Sequence, residues 1–317
     1  MVRCIRVLKK DGESVRSRLV EEDMLDLDRK IRAEGDHLLI PVRCDNFDGY
    51  EIIEEDLDVQ EHKVTDYTEI VDVPENLRGF LPSSFDVVGD VAMIKIPDEL
   101  KDYGIAIAEA LIEVNKNIRV VFHDNGVKGE FRIRDLEKLA GEGSSETAHK
   151  EFGVVLYTDP SRVYFNPRLS SERYRIAKLV NDGETVIDMF GGVAPFGTVI
   201  GKLSDPKVIY SIDLNPEAEH FAKMNAERNH IDCLIPLTGD SSKLIYDLPM
   251  ADHVIMNLPQ IADRFLGYAM DKLNHGGTAH MYKIIERTEF PGFCEFLVKE
   301  MADRGHKITI KSSELKT

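Results

Sequence analysis

The spacing of apolar positions divides the 317-residue chain into three stretches. In the first, to about residue 62, a strand-like "CIRVL" precedes "RLVEEDMLDLDRKIRAEG", residues 18–35, where the spacing predicts a charged amphipathic helix, and then an apolar "HLLIPV". The acid-rich "GYEIIEEDLDVQEH" closes this stretch and reads as solvated surface or linker. In the second, residues 63–165, "FDVVGDVAMIKIP" predicts two short strands around Gly89, and "DELKDYGIAIAEALIEVN" a helix. "IRVVFHD", "FGVVLYTD" and "RVYFNP" then read as strands.

The third stretch, residues 166–317, alternates the two periods. Strands "TVIDMF", "VIYSIDL", "CLIPLTGD", "DHVIMNLP", "GTAHMYKII" and "HKITI" are separated by helical patterns, among them "PEAEHFAKMNAERN". Such alternation predicts parallel strands in a doubly wound α/β sheet. The carboxyl ends of these strands carry the polar groups. Asp188 leads into a turn at Gly191 and Gly192, Asp213 ends the second strand, Asp240 the third, and "NLP", Asn257 to Pro259, the fourth. Ligands of open α/β sheets sit at such ends, and an acid on the second strand suits a ribose. Neither G-x-G-x-x-G nor a phosphate-binding Gly-Lys-Ser/Thr turn is present.

Composition narrows the class. With 31% charged and 43% hydrophobic residues, the chain has the make-up of an ordinary globular protein, and no apolar run approaches the length of a membrane span. The N-terminus lacks a signal sequence, so a cytoplasmic location is expected. Cys4, Cys44, Cys233 and Cys294 are scattered without metal-ligand spacing, which argues against structural zinc and disulfides. The net charge of −17 disfavours a polyanionic partner only if no local basic face exists. Two clusters could provide one: Lys9, Lys10, Arg16 and Arg18, or Arg162, Arg168, Arg173 and Arg175.

The glycine turn and the strand-end residues resemble those of class I S-adenosylmethionine-dependent methyltransferases. Amino-methyltransferases of that fold carry an aromatic after an Asn/Asp-Pro-Pro motif, whereas "NLPQ" has none, which disfavours an exocyclic-amine substrate. "GEFRIRDLEKLAGE", "HKEFG", "VYFNPRLSSER", "VIDMFGGVAPF", "SIDLNP" and "NLPQIADRFL", in that order, resemble the archaeal and eukaryotic tRNA (guanine-37-N1)-methyltransferase family along nearly the whole chain.

The resemblance implies a Rossmann-like class I methyltransferase domain preceded by two smaller α/β domains: residues 1–62 binding tRNA, 63–165 in the middle, and 166–317 binding S-adenosylmethionine. It implies Arg168, Asp188, Phe190, Gly191, Gly192, Val193, Asp213, Leu214, Asp240, Ser241 and Asn257 at the cofactor. Guanine N1 is a poor nucleophile until its proton leaves, and charge then builds on O6. By resemblance Glu172 is the base and Arg132 the stabiliser, with Asn257 and Pro259 on the base edge. Arg134, expected on the same face of the same strand, rivals Arg132. Tyr164 and Phe165 alternate, so one of them, expected to be Tyr164, packs on a flipped base while Phe165 is core. Without the resemblance, Glu172 reads as a solvent-facing helix residue paired with Arg168 or Arg175.

The partner implied is tRNA, contacted at its anticodon stem-loop and elbow by a monomer. Ala194 stands where the family commonly has a third glycine, so a narrowed methionine pocket or a shifted turn is expected. "HKITIKSSELKT" is expected to supply a sixth strand, with the antiparallel strand that usually follows missing. Rival readings are the wybutosine-pathway aminocarboxypropyl transferase, a wyosine-precursor methyltransferase and a non-catalytic tRNA-binding relative.

Overall fold

The computed structural model describes residues 1–60, 64–129 and 131–315. The boundary expected at residues 62 and 63 lies outside them. Contacts group the chain into two compact units, Met1–Thr65 and Asp66–Thr317.

In the first unit, β1 (Val2–Leu8) leads into α1 (Gly12–Glu21), and with β2 (Arg32–Glu34), β3 (His37–Pro41) and β4 (Ile52–Glu55) it forms an antiparallel sheet in the order β2-β3-β1-β4. Val15 and Leu19 of α1 pack against Ile5, Val7 and Ile40. The helix differs from the expected 18–35: it starts earlier, and at Asp23 the backbone turns left-handed, φ 54°. Aspartates compete for the backbone and tolerate that conformation. Asp26 Oδ1 accepts from the N–H of Asp28, and Met24 and Leu25 still reach the core from the turn.

The second unit opens with the expected hairpin, β5 (Asp86–Val88) and β6 (Val91–Ile94), around Gly89 at φ 57°. A Cβ there would meet the Ala148 carbonyl oxygen at 2.6 Å, so glycine permits both the turn and the close approach of the next strand pair. α2 (Gly104–Val114) crosses over to β7 (Val120–Lys128), parallel to β6, and β8 (Ile133–Gly141) returns antiparallel. A separate hairpin pairs β9 (Thr147–Glu151) with β10 (Val154–Thr158).

α3 (Ser170–Ala177), β11 (Thr185–Asp188), α4 (Pro195–Leu203), β12 (Val208–Asp213), α5 (Pro216–Asn229), β13 (Leu234–Thr238), α6 (Ser241–Leu244), β14 (Ala251–Met256), α7 (Leu266–Lys272), β15 (Leu273–Met281) and α8 (Phe290–Asp303) follow. The five strands form a parallel sheet ordered β13-β12-β11-β14-β15. Both faces are buried: Val186 packs with Phe196, Val199 and Phe221 on one side, while its neighbour Ile187 packs with Leu266, Leu297 and Met301 on the other. The order reverses between β11 and β14, which puts the switch point at their carboxyl ends. No helix among the described residues is long and apolar enough to cross a membrane.

Two expected strands do not form. Residues 306–315 have no regular structure, and β15 ends the sheet. "RVYFNP" follows an irregular path. The N–H groups of Arg162 and Val163 close a turn onto the Asp159 carbonyl, and the Arg162 carbonyl accepts from Asn215 Nδ2 at 2.8 Å.

The hairpin β9–β10 is tied to α5 by side-chain amides. Asn229 exchanges two hydrogen bonds of 2.8 Å with the backbone of Val155. Asn225 does the same at Tyr157, 2.7 and 3.1 Å, and also donates to the Val193 carbonyl at 2.9 Å.

Candidate active site

The glycine turn is built around two acids. Asp213 Oδ2 accepts from the Gly192 N–H at 2.8 Å and Oδ1 from the Asn215 N–H at 2.9 Å; burial nevertheless pushes its carboxyl up. Asp188 is fully buried, and burial, aided by the charge of Asp213, pushes it up to about 7. Its Oδ1 accepts from Phe190 N–H at 3.3 Å, while Oδ2 and the neighbouring Ser211 Oγ are buried without a hydrogen-bond partner among the described residues. Asp188 and Ser211 face each other in the β11–β12 register. Unpaired buried polar atoms at the mouth of a parallel sheet are groups that a polar ligand can satisfy. With Asp213 ending β12, this donor and acceptor set fits S-adenosylmethionine.

The remaining turn residues divide by burial. Gly191 lies so close to Ser211 that a Cβ would clash with its Oγ, and Gly192 has φ 54°. Ala194 is left-handed as well, φ 56°, with its methyl fully buried. The turn therefore keeps the shape a glycine would give it, with backbone strain as the cost. Val193 is in the core, Phe190 meets Phe265 edge-on at 4.9 Å, and Leu214 is exposed. Asp240 caps α6 by accepting from the N–H and Oγ of Ser242, 3.0 and 2.7 Å, and Ser241 beside it is buried.

The segment before α3 presents one aromatic and hides the other. Tyr164 is 43% exposed and its carbonyl runs beside Gly192, while Phe165 is core, as expected. Asn166 accepts from the Arg168 N–H and Pro167 starts the turn into α3. On α3, Glu172 is only 6% exposed. Its Oε2 accepts from Arg175, 2.9 and 3.0 Å, and from the Tyr282 hydroxyl at 3.3 Å. A solvent-facing Glu172 is thus corrected, although Arg175 is its partner.

The arginines behave unlike one another. Arg173, counted among possible phosphate contacts, is 1% exposed and forms a bidentate pair with Glu151 at 2.6 Å, over the Phe165 ring. It is too deep to reach a phosphate. Arg168, expected at the cofactor, pairs with Asp86 at 2.6 Å and is largely exposed. Arg132 and Arg134 do not share a strand: Arg132 lies in the turn before β8 at φ 53°, and Arg134 lies within β8. Arg134 is held by Asp86 at 2.8 Å and Asp124 at 2.6 Å. Burial would raise the Asp86 carboxyl, but Arg134 and Arg168 outweigh it and hold it below the usual range. Arg132, by contrast, lies against the loop after β14, where the Gln260 amide, oriented to accept, takes its two terminal nitrogens at 3.3 and 3.2 Å.

That loop is laced by the residues after β15. Tyr282 N–H donates to the Met256 carbonyl at 3.2 Å, Ile284 N–H to the Pro259 carbonyl at 2.8 Å, and Lys283 Nζ to the Gln260 carbonyl at 3.0 Å. Asn257 and Pro259 are half-buried at its start. Sequence reasoning missed Ser211, Tyr282 and Asn225. The unpaired Ser211 hydroxyl had a weak signal, a small polar residue two before Asp213; the others had none, since their contacts join distant segments.

Comparison with known proteins gives three matches along the chain: residues 147–309 to the TRM5/TYW2 methyltransferase domain, 68–144 to the TYW2 N-terminal domain and 4–51 to the tRNA methyltransferase 5 N-terminal domain. The chain is 39% identical over 312 residues to the tRNA (guanine(37)-N(1))-methyltransferase Trm5b of Pyrococcus abyssi, covering 98% of this chain and 93% of that protein. It matches the crystal structure of wild-type Trm5b from Pyrococcus abyssi with a TM-score of 0.79 at 39% identity, covering 96% of this chain and 91% of that one. A complex of aTrm5 and tRNALeu matches with a TM-score of 0.68 at 34% identity, covering 92% and 91%.

Proposed function

The chain belongs to the TRM5/TYW2 methyltransferase family, and from that premise we propose that it methylates N1 of guanine 37 in tRNA with Glu172 as the base. It is an S-adenosylmethionine-dependent methyltransferase acting on tRNA. When bound, the cofactor supplies an electrophilic methyl group on a sulfonium sulfur. Asp188, Ser211, the Gly191–Gly192 backbone and Asp213 hold it at the mouth of the sheet, with Phe190, Val193, Leu214, Asp240 and Ser241 around it.

The observation that carries the base assignment is a nearly buried carboxylate on α3 whose clamp, Tyr282, is joined by its backbone to the end of β14. Glu172 takes the N1 proton, which leaves a lone pair on N1 in place of the N–H bond. Arg132 stabilises the charge that develops on O6. Arg134 is the poorer candidate, because Asp86 and Asp124 already neutralise it. Asn257 and Pro259 hold the base edge, and the exposed Tyr164 ring packs on the flipped base. Arg168 orders the approach from its pair with Asp86, and exposed Lys9 and Lys10 in the first unit contact the tRNA elbow. The enzyme acts as a monomer.

Single-turnover methylation of an unmodified transcript with guanine at position 37 tests this. Glu172→Gln is expected to lose roughly 10² to 10⁴ in rate while still binding cofactor and tRNA. Arg132→Ala is expected to lose rate similarly. Near-normal turnover by Glu172→Gln overturns the assignment.

A further inference from the structure

We propose that Tyr282 is a positioning residue which, together with Arg175, donates to Glu172 Oε2 and keeps the carboxylate ionised and aimed for proton abstraction. The inference rests on the reading of Glu172 as the base and assigns a role to a residue outside the glycine turn, the α3 segment and the loop after β14.

Three contacts place Tyr282 at a junction of the site. Its hydroxyl donates to Glu172 Oε2 at 3.3 Å, its N–H to the Met256 carbonyl immediately before Asn257, and its ring packs on Phe196 of α4 at 6.0 Å between centroids. One residue thus connects the base on α3, the loop that would hold the guanine edge and the helix that follows the glycine turn. Arg175 reaches the same Oε2 from the next turn of α3. Donors converging on Oε2 help to set the plane of the carboxylate, and each favours the charged form.

The groups around the carboxylate are consistent with that role. Burial and the charge of Glu172 push the Tyr282 hydroxyl well up, so it stays a donor throughout the working range. On β15, His280 is driven down to about 3 by burial, with His253, Arg175 and Lys311 adding to the shift, so it remains neutral. His253 on β14 lies between His280 at 2.9 Å and Glu184 at 3.0 Å. α4 presents Phe196 to Tyr282, and its one cation, Lys202, is exposed. Tyr282 and Arg175 thus both donate to Glu172 Oε2, one from the residue after β15 and one from α3.

The test measures single-turnover methyl transfer by the full chain across pH, with saturating S-adenosylmethionine and a guanine-37 transcript. Tyr282→Phe keeps the ring and removes only the hydroxyl. A lost hydrogen bond to a charged group moves the ascending limb of the profile to higher pH by about one unit. The rate below the limb falls about tenfold, the plateau above it is recovered, and KM for tRNA is unchanged. Arg175→Gln moves the limb in the same direction and carries the test should the tyrosine variant fold poorly. An unmoved limb in these variants, with Glu172→Gln inactive, overturns the positioning role and leaves Tyr282 as packing. An active Glu172→Gln overturns the base assignment itself.

Discussion

Two regions of the second unit handle buried charge in opposite ways. At the mouth of the parallel sheet, Asp188 and Ser211 each keep a buried polar atom without a partner among the described residues, and burial raises Asp188 to about 7. Around the β9–β10 hairpin and β5, the charges are matched: Glu151 with Arg173, and Arg134 with both Asp86 and Asp124. Burial would raise Glu151, but Arg173 and His149 overcome it and hold the carboxyl below its usual range. The difference separates scaffold from site. In a matched pair each charge offsets the desolvation of the other and is already occupied, whereas an unmatched acid destabilises the free protein until something binds it.

The largest test breaks a matched pair. Arg173→Met leaves Glu151 buried without its guanidinium partner and is expected to cost about 3–5 kcal/mol, read as a fall in Tm by calorimetry. The double variant Glu151→Leu/Arg173→Met should recover most of that loss, since removing both charges avoids an unpaired one.

The next test addresses the unmatched acid. The folded protein keeps the Asp188 proton to about pH 7 while the unfolded chain releases it near 4, so the folded state binds more protons between those values. Stability of the cofactor-free protein therefore falls as pH rises through that window, by at most about 4 kcal/mol from this residue. Asp188→Asn should flatten that slope in chemical denaturation at several pH values, and weaken S-adenosylmethionine binding in calorimetric titration. An unchanged slope would place Asp188 with the scaffold.

The smallest effect is expected at Ala194. Its left-handed backbone costs about 1–2 kcal/mol relative to glycine. Burying the methyl group returns about 0.8 kcal/mol, and the stiffer unfolded chain returns a further 0.4–1 kcal/mol. Ala194→Gly should leave Tm and cofactor affinity near wild type, and a marked gain in affinity would show that the methyl does narrow the pocket.

How far these roles could be read from sequence depends on the distance over which they are set. The five parallel strands and α5 follow from local periodicity, and the polar strand ends come with them. Helix α1 was misplaced because the aspartates from Asp23 onward break a pattern that apolar spacing alone extends. Arg132 and Arg134 look alike in sequence. They diverge through Asp86, 48 residues from Arg134, and through a left-handed turn at Arg132 that no spacing rule predicts. The Glu172 clamp depends on Tyr282, 110 residues away.

The amides of α5 have a consequence for the order of events when the chain is made. Residues four apart on a helix are separated by about 6 Å, and residues two apart on a strand by about 6.7 Å. Asn225 and Asn229 can therefore occupy the open side of β10 almost as a neighbouring strand would, and so deny that edge to other chains. The residues that seal it lie 68 and 74 positions downstream. On the ribosome, the hairpin emerges with its edge unguarded and stays so until α5 has been synthesised and docked, an interval in which strand exchange between nascent copies competes with folding.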